Sequence, residues 1–435
     1  MRLSGKNVLI LGAYGFIGAA VTRSLRAEGA QVSAFVRSGA TGARVLPDVT
    51  LVQGDLRACL RPEDWVAALS GIGCVVNCAG ALQDGPADDL EAVHHTAIAA
   101  LGKACEQCGI AVVQISAIGA TADAGTDFMR TKAAGDAALG ARAIPLWVFR
   151  PGLVIGQSDY GGTALLRMLA AVPLLQPVAY PKTPVQCVGM PDLCHAVSAA
   201  VAKELPQGAY DLVEDEPAPL SEVLEETRRW MGFPTARVTI HMPAFLTASV
   251  AACADALGWL GWRSPLRRNA LTLMAEGVVG NPAPYQTASA QSLETLPEIY
   301  AGLTCAREHR LSARMALLMP LVVAVLSVFW VLSGVFGLVG LSQAAAVLTN
   351  AGWGVGMATT SVLFWSLIDI ALGLAILWRP WAARACLAQC GVALFYLLAA
   401  SFAVPDLWLD PLGPLTKILP AIVLPLVAWP LLQSR

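Results

Sequence analysis

Apolar positions in the first half of the chain follow two alternating patterns. Short β-branched runs recur at 7–11, 31–36, 49–53, 74–77, 111–115 and 146–149, and helical periodicity fills most intervals, as at 16–28 and 90–108. Strands alternating with helices predict a parallel sheet covered on both faces, because parallel neighbours need crossovers long enough to hold a helix. Helical patterns at 162–170, 192–203 and 220–231, with strand-like pieces at 185–188 and 210–213, predict a smaller lobe beside the sheet. The stretch 245–262 is apolar apart from Asp255 and precedes Arg263, Arg267 and Arg268. Two readings stay open for it: a helix of the small lobe, or a helix on a membrane surface with Trp259 and Trp262 at the headgroups.

After Arg314 the pattern changes to four long apolar stretches, 315–339, 355–378, 385–404 and 412–432. At 1.5 Å rise per residue each can cross a hydrocarbon core of about 30 Å. Arg307, Arg310 and Arg314 precede the first stretch, Arg379 and Arg384 lie between the second and third, and Arg435 follows the fourth. The other side carries only Lys417, Asp406 and Asp410. The positive-inside bias then makes this a multi-pass protein of the inner (cytoplasmic) membrane, with a cytoplasmic N-terminal domain and C-terminus. Trp353, Trp378, Trp381 and Trp408 fall near the interfaces. The expected division is a sheet domain with its lobe over 1–235, a helical connector over 236–310 that touches or skirts the membrane surface, and an all-α four-helix transmembrane domain over 311–435.

Composition agrees: 56 % of the 435 residues are hydrophobic and 14 % charged, with a mean hydropathy of +0.59. That excludes both a wholly soluble protein and a disordered one. The net charge of −2, without a basic block, argues against a nucleic-acid partner. The eleven cysteines are scattered and read as reduced cytosolic thiols. Cys105 and Cys108 have redox spacing but sit late in a helix, away from the N-terminus that would stabilise a thiolate. His94, His95, His195, His241 and His309 form no ligand pattern with the cysteines, so no metal site is expected.

Arg2 and Lys6 before the apolar run 8–21 imitate a signal peptide. The glycines inside that run point elsewhere. Gly12-Ala13-Tyr14-Gly15-Phe16-Ile17-Gly18 follows a strand and opens a helix. Gly12 permits the tight turn, Gly15 lets backbone approach a pyrophosphate, and Gly18 allows close packing of helix on strand. The helix N-terminus offers its N–H groups to phosphate. This predicts a Rossmann-type doubly wound sheet, with Tyr14, Phe16 and Ile17 part of the same site. Arg37 ends the second strand, where an acidic residue would accept from a ribose 2′-hydroxyl; a cation there suits a 2′-phosphate, so the expected cofactor is NADP(H), with NAD(H) the alternative. Asp55 and Leu56 follow the third strand, and Cys78, Ala79 and Gly80 the fourth, at the strand ends where ligands bind.

These motifs, with Ile115-Ser116-Ala117-Ile118-Gly119, Arg150-Pro151-Gly152 and Pro191-Asp192-Leu193, resemble the short-chain dehydrogenase/reductase superfamily. More narrowly, residues 5–230 are similar to its extended or atypical branch, which includes epimerase/dehydratase-like proteins and the NAD(P)-binding accessory subunit of respiratory complex I. The tail, with Phe329-Trp330, Ser333-Gly334 and Asp369–Gly373, resembles the DoxX-like four-helix membrane domain. The resemblance implies an oxidoreductase in which Ser116 orients substrate, Lys132 holds the nicotinamide ribose and Pro151 borders the cofactor. It also implies a tyrosine four residues before Lys132, where this chain has Phe128. Phenylalanine has no proton to give. Three consequences stay open: Tyr160 or another group supplies the proton, the substrate needs none, or dinucleotide is bound without turnover.

The membrane domain suggests a lipid-soluble acceptor such as a quinone, contact with lipid, and membrane-protein partners for a non-catalytic scaffold. Asp369, mid-span, reads either as a proton or ligand site or as a carboxyl bonded to Ser361, Ser366 or another helix. A redox-coupled transporter would rest on Asp369 alone. Ser333 and Gly337 read as a small-residue packing face, and Pro414, Pro420, Pro425 and Pro430 as kinks in the last stretch.

Overall fold

A computed structural model describes every residue apart from 82, 83, 86, 87, 263, 265, 412, 434 and 435, and every remaining side chain apart from those of 244, 269, 270 and 273. Arg263, Leu412 and Arg435 thus lie outside the described residues. Two compact units divide the chain: Met1–Cys253 with Pro265–Arg310, and Ala254–Ser264 with Leu311–Arg435.

The first unit is built on seven parallel strands, β1 (Asn7–Leu11), β2 (Gln31–Val36), β3 (Thr50–Gln53), β4 (Cys74–Asn77), β5 (Ala111–Ile115), β6 (Leu146–Pro151) and β7 (Gly208–Leu212), in the order β7-β6-β5-β4-β1-β2-β3. Every residue of β4 and β5 is buried, as continuous apolar strands in a doubly covered sheet must be. Leu11 pairs with Asn77, Asn77 with Gln114, and Ile115 with Phe149, so the carboxyl ends of the central strands line up. The order reverses between β1 and β4, the crevice where open α/β sheets take ligands.

Helix α1 (Phe16–Ala27) buries Gly18, Ala19, Val21, Thr22 and Leu25 on one sheet face. Helices α2 (Ala97–Cys108) and α3 (Asp127–Gly140) cover the other, where Trp65, Ile98, Leu101, Val112 and Leu139 form the core. A π-helical turn at Ala92–Thr96 leads into α2, and a Cβ on Gly135 of α3 would strike the His94 carbonyl oxygen. The two segments therefore cross at closest approach there.

The seventh strand corrects the sequence reading, which gave 210–213 and the helix at 192–203 to the small lobe. After α4 (Gly162–Ala170), α5 (Met190–Ala202) packs its Leu193, Ala196, Val197 and Ala200 into the main core, and β7 pairs with β6, Tyr210 opposite Phe149. A short strand's period does not say which sheet receives it; the α5 crossover decides. The small lobe keeps α4, α6 (Leu220–Trp230) and a parallel ribbon of Leu175–Val178 with Val238–His241. Arg228 locks it through hydrogen bonds of 2.9 Å to the Ala170 carbonyl and 3.0 Å to that of Val172. Then comes α7 (Ala244–Trp259), which runs across the boundary between the units.

Among the described residues, three helices are long and apolar enough to cross a membrane: α8 (Arg307–Val339), α9 (Val355–Ala375) and α10 (Arg379–Ala403). The fourth expected span is the shorter α11 (Ile418–Gln433), with Pro425 and Pro430 inside it. Sixteen residues reach about 24 Å. A further helix, Leu341–Asn350, follows α8. Small residues bring α8 and α9 together: Gly334 and Gly337 face Ser366, and a Cβ on Gly373 would lie 2.8 Å from the Val331 nitrogen. Ser333 meets α9 as well. Its hydroxyl donates to Asp369 Oδ2 (2.7 Å), while Tyr396 on α10 donates to Oδ1 (2.7 Å). The partners of Asp369 thus come from two other helices rather than from Ser361 or Ser366.

Candidate functional site

The β1–α1 turn is closed by the Gly15 N–H donating to the Gly12 carbonyl at 2.9 Å. Gly12 has φ +69°, and a Cβ there would lie 2.8 Å from the Ala79 Cα, so only glycine fits between this turn and the end of β4. A Cβ on Gly18 would strike the Gly12 carbonyl oxygen. Gly15 is the N-cap of α1 and supplies no side-chain cap, leaving the first N–H groups of the helix for an outside acceptor. The tight turn and the uncapped helix start together form a backbone cradle that suits a pyrophosphate.

A buried polar chain crosses beneath it. Asn77 Oδ1 accepts from the Ala79 N–H (3.0 Å), and its Nδ2 donates to Gln114 Oε1 (2.8 Å). Gln114 Nε2 donates to Asp136 Oδ1 (3.2 Å), and the Ser116 hydroxyl donates to Asp136 Oδ2. Burial pushes the Asp136 carboxyl up, against the opposing hydrogen bond from Ser116. Gln114 and Asp136 were not singled out from sequence as site residues. The available signal was a glutamine inside an otherwise apolar strand.

Lys132 is 8 % exposed, and its Nζ donates to the Ile115 carbonyl at 3.0 Å. Burial pulls its pKa down. The Phe128 ring centroid lies 5.7 Å from that Nζ, in an apolar cluster with Ala81, Leu90 and Met129. His94 meets Phe128 edge-on, 5.5 Å between centroids. Its Nε2 accepts from the Ala81 N–H (3.1 Å), so the proton resides on Nδ1, which faces the Thr131 hydroxyl at 2.9 Å. Burial, then Lys132, push the His94 pKa down to about 3. His94 is therefore a neutral wall residue and no replacement acid for the missing tyrosine. Tyr160 is half exposed before α4, and among the described residues no hydrogen bond joins it to Ser116 or Lys132.

This burial gives a pH-dependent stability. The unfolded chain binds the His94 proton near 6.5 and the folded one near 3. Stability is full above 6.5 and falls on acidification through that window, by up to about 5 kcal/mol. Replacing His94 by Gln should flatten the fall of the thermal midpoint between pH 6.5 and 4; an unchanged slope would refute this.

The other expected positions are distributed differently. Arg37 donates to Asp88 Oδ1 at 2.9 Å and hydrogen-bonds Tyr14, so a carboxylate already neighbours the expected 2′-phosphate partner. Asp55 caps a short turn, accepting from the Arg57 N–H (3.0 Å) and side chain (2.6 Å), which hold its carboxyl below the usual range. Leu56 turns into the core with Phe35 and Trp65. Tyr14, Phe16, Ile17 and Cys78 are partly buried against the opposite core, and burial raises the Cys78 thiol. Gly80 borders both His94 Nε2 and Lys132 Nζ, and Pro151 is buried at the end of β6.

A family model described as NAD(P)H-binding matches residues 12–159, and one described as DoxX-like matches residues 327–426. No curated protein matches the chain. Among solved structures, the Bordetella bronchiseptica enzyme WbmG in complex with NAD is similar at 17 % identity and TM-score 0.50, covering 68 % of this chain and 92 % of that one. The dTDP-glucose 4,6-dehydratase of Bacillus anthracis, also with NAD, is similar at 14 % and 0.51, covering 71 % and 96 %. The UDP-N-acetylglucosamine 4-epimerase of Bacillus cereus is similar at 15 % and 0.50, covering 71 % and 100 %. At these identities the likeness is one of fold. The N-terminal domain thus shares the Rossmann fold of these NAD-bound enzymes and is similar over residues 12–159 to the NAD(P)H-binding family, and the C-terminal region is similar over residues 327–426 to the DoxX-like family.

Proposed function

We propose that this is a membrane-anchored oxidoreductase of the inner membrane, its sheet domain cytoplasmic, that binds NADP(H) in preference to NAD(H) and exchanges hydride with a lipid-soluble, quinone-like acceptor. The observation that carries the reading is the glycine turn at Gly12–Gly18 with the uncapped start of α1 behind it. A bound nicotinamide supplies or takes the hydride. The N–H groups at the start of α1 would hold the phosphates, and the Lys132 ammonium at the Ile115 carbonyl would hold the ribose hydroxyls. Ser116, its proton committed to Asp136, presents an oxygen lone pair and acts as a positioning residue. Phe128 supplies an apolar wall. A quinone takes its proton from water after reduction, so it needs no acid at position 128.

A second reading is favoured by the packing of Phe128 into a closed apolar cluster with Ala81, Leu90 and Met129. It makes the domain a dinucleotide-binding scaffold or sensor for membrane-protein partners. Rapid mixing of NADPH-loaded full-length protein in nanodiscs with a short-chain quinone separates the two. Oxidation at least tenfold above the protein-free rate supports hydride exchange. Tight binding without acceleration supports the scaffold.

Asp88 bears on cofactor choice. Substituting Asp88 by Asn removes the carboxylate that shares Arg37 and leaves the guanidinium for a 2′-phosphate. The ratio of NADPH to NADH affinity should rise about threefold to tenfold, and Arg37→Ala should lower it. Equal ratios in all three proteins would remove Arg37 from the site.

A further inference from the structure

Helix α7 has a composition that water does not support. Asp255 is its only charged residue. The buried positions are Thr247, Ala251 and Ala254, three small side chains on one face. Outside that stripe, Phe245 is 73 % and Trp259 83 % exposed, and Leu246 and Leu257 are exposed as well. A helix apolar all round belongs in a protein core or in lipid. This one is not in a core, and its sixteen residues, about 24 Å, are short for a span.

The strand before it repeats the pattern. All four residues of Val238–His241 are exposed although paired with Leu175–Val178, and Leu174, Leu175, Val238 and Ile240 stand out from the same ribbon. Large apolar side chains exposed together in this way are of the kind that is covered by something.

Continuity with the spanning helices identifies the cover. The turn after α7 belongs to the second unit: the Arg379 N–H donates to the Leu260 carbonyl (2.9 Å), and Trp262 Nε1 donates to that of Leu377 (2.5 Å). The Arg379 guanidinium lies 5.6 Å from the Trp262 ring centroid, Trp378 stacks on Trp381 at 6.0 Å, and Arg384 lies 5.8 Å from Trp381. Tryptophan and arginine gathered at the α9–α10 junction mark a headgroup layer. The carboxyl end of α7 is thus fixed at that depth.

We propose that α7 lies in the lipid–water interface, covered by bilayer lipid. The helix lies along the membrane rather than crossing it, with Trp259 at the headgroups and Phe245, Leu246 and Leu257 among the upper acyl chains. This holds whether or not the dinucleotide domain turns over.

The test uses full-length protein in nanodiscs of phosphatidylcholine and phosphatidylglycerol. An environment-sensitive fluorescent amino acid replaces Phe245, Leu246 or Leu257 in turn, with exposed Val66 as control, and nitroxide lipids serve as quenchers. Quenching at the first three positions at least threefold greater than at Val66 is expected. Quenching equal to that at Val66 overturns the proposal. So does emission shielded from aqueous quenchers but untouched by nitroxide lipid, which would mean protein covers the face. Unaltered protein gives a second readout: a carbene-generating lipid should label peptides within 245–260, and labelling confined to α8–α11 overturns the proposal as well.

Discussion

Gly15→Val weakens binding of both NADPH and NADH at least about a hundredfold, or about 2.7 kcal/mol, while the protein stays folded. The backbone permits valine: Gly15 has φ −72° and ψ 177°, extended values open to any residue. The nearest atom to a Cβ there is the Gly12 carbonyl oxygen at 3.1 Å, a contact a small shift relieves. The added side chain then stands in front of the first N–H groups of α1, where phosphate would rest. Gly18→Val differs, because its Cβ drives into the Gly12 carbonyl and loosens the packing of α1 on β1. It should lower the unfolding midpoint by several degrees, whereas Gly15→Val should change it little. Calorimetric titration beside thermal unfolding separates the two. Undiminished affinity in folded Gly15→Val would mean that dinucleotide, if bound, is held elsewhere.

Phe128→Tyr should create ketone reductase activity with NADPH at least about a hundredfold above that of the unaltered protein, the usual scale for adding a placed general acid. The ring already stands within reach of Lys132, whose ammonium would favour the phenolate and so lower the new hydroxyl's pKa. A panel of aliphatic and aromatic ketones, followed by loss of reduced nicotinamide, reads the gain. Intact NADPH binding with no gain on any ketone would show the acceptor side closed at Phe128 and favour the scaffold reading.

Much of the sheet was legible because its strands are continuous apolar runs set off by turn residues. β1, β2, β4 and β5 have the boundaries their patterns gave. The edge strand Gly208–Leu212 was not placed correctly, since its sheet is chosen by a crossover helix distant in sequence. The glycine turn was readable because each glycine answers a separate steric demand. The partners of Arg37, Asp55 and Asp369 were not, because a charge at a strand end or in mid-span says nothing about which residue comes to meet it. Asp88 lies 51 positions from Arg37. The last apolar stretch reads as a full span in sequence, yet its helix begins only at Ile418, after a turn containing Gly413 and Pro414.

The most direct test of the central claim is titration of NADPH and of NADH into the full-length protein in nanodiscs, with the Gly15→Val protein alongside. Saturable binding of one dinucleotide per chain, tighter for NADPH and lost in Gly15→Val, is the expected result. A folded protein that binds neither dinucleotide would contradict the claim and leave the glycine turn as packing alone.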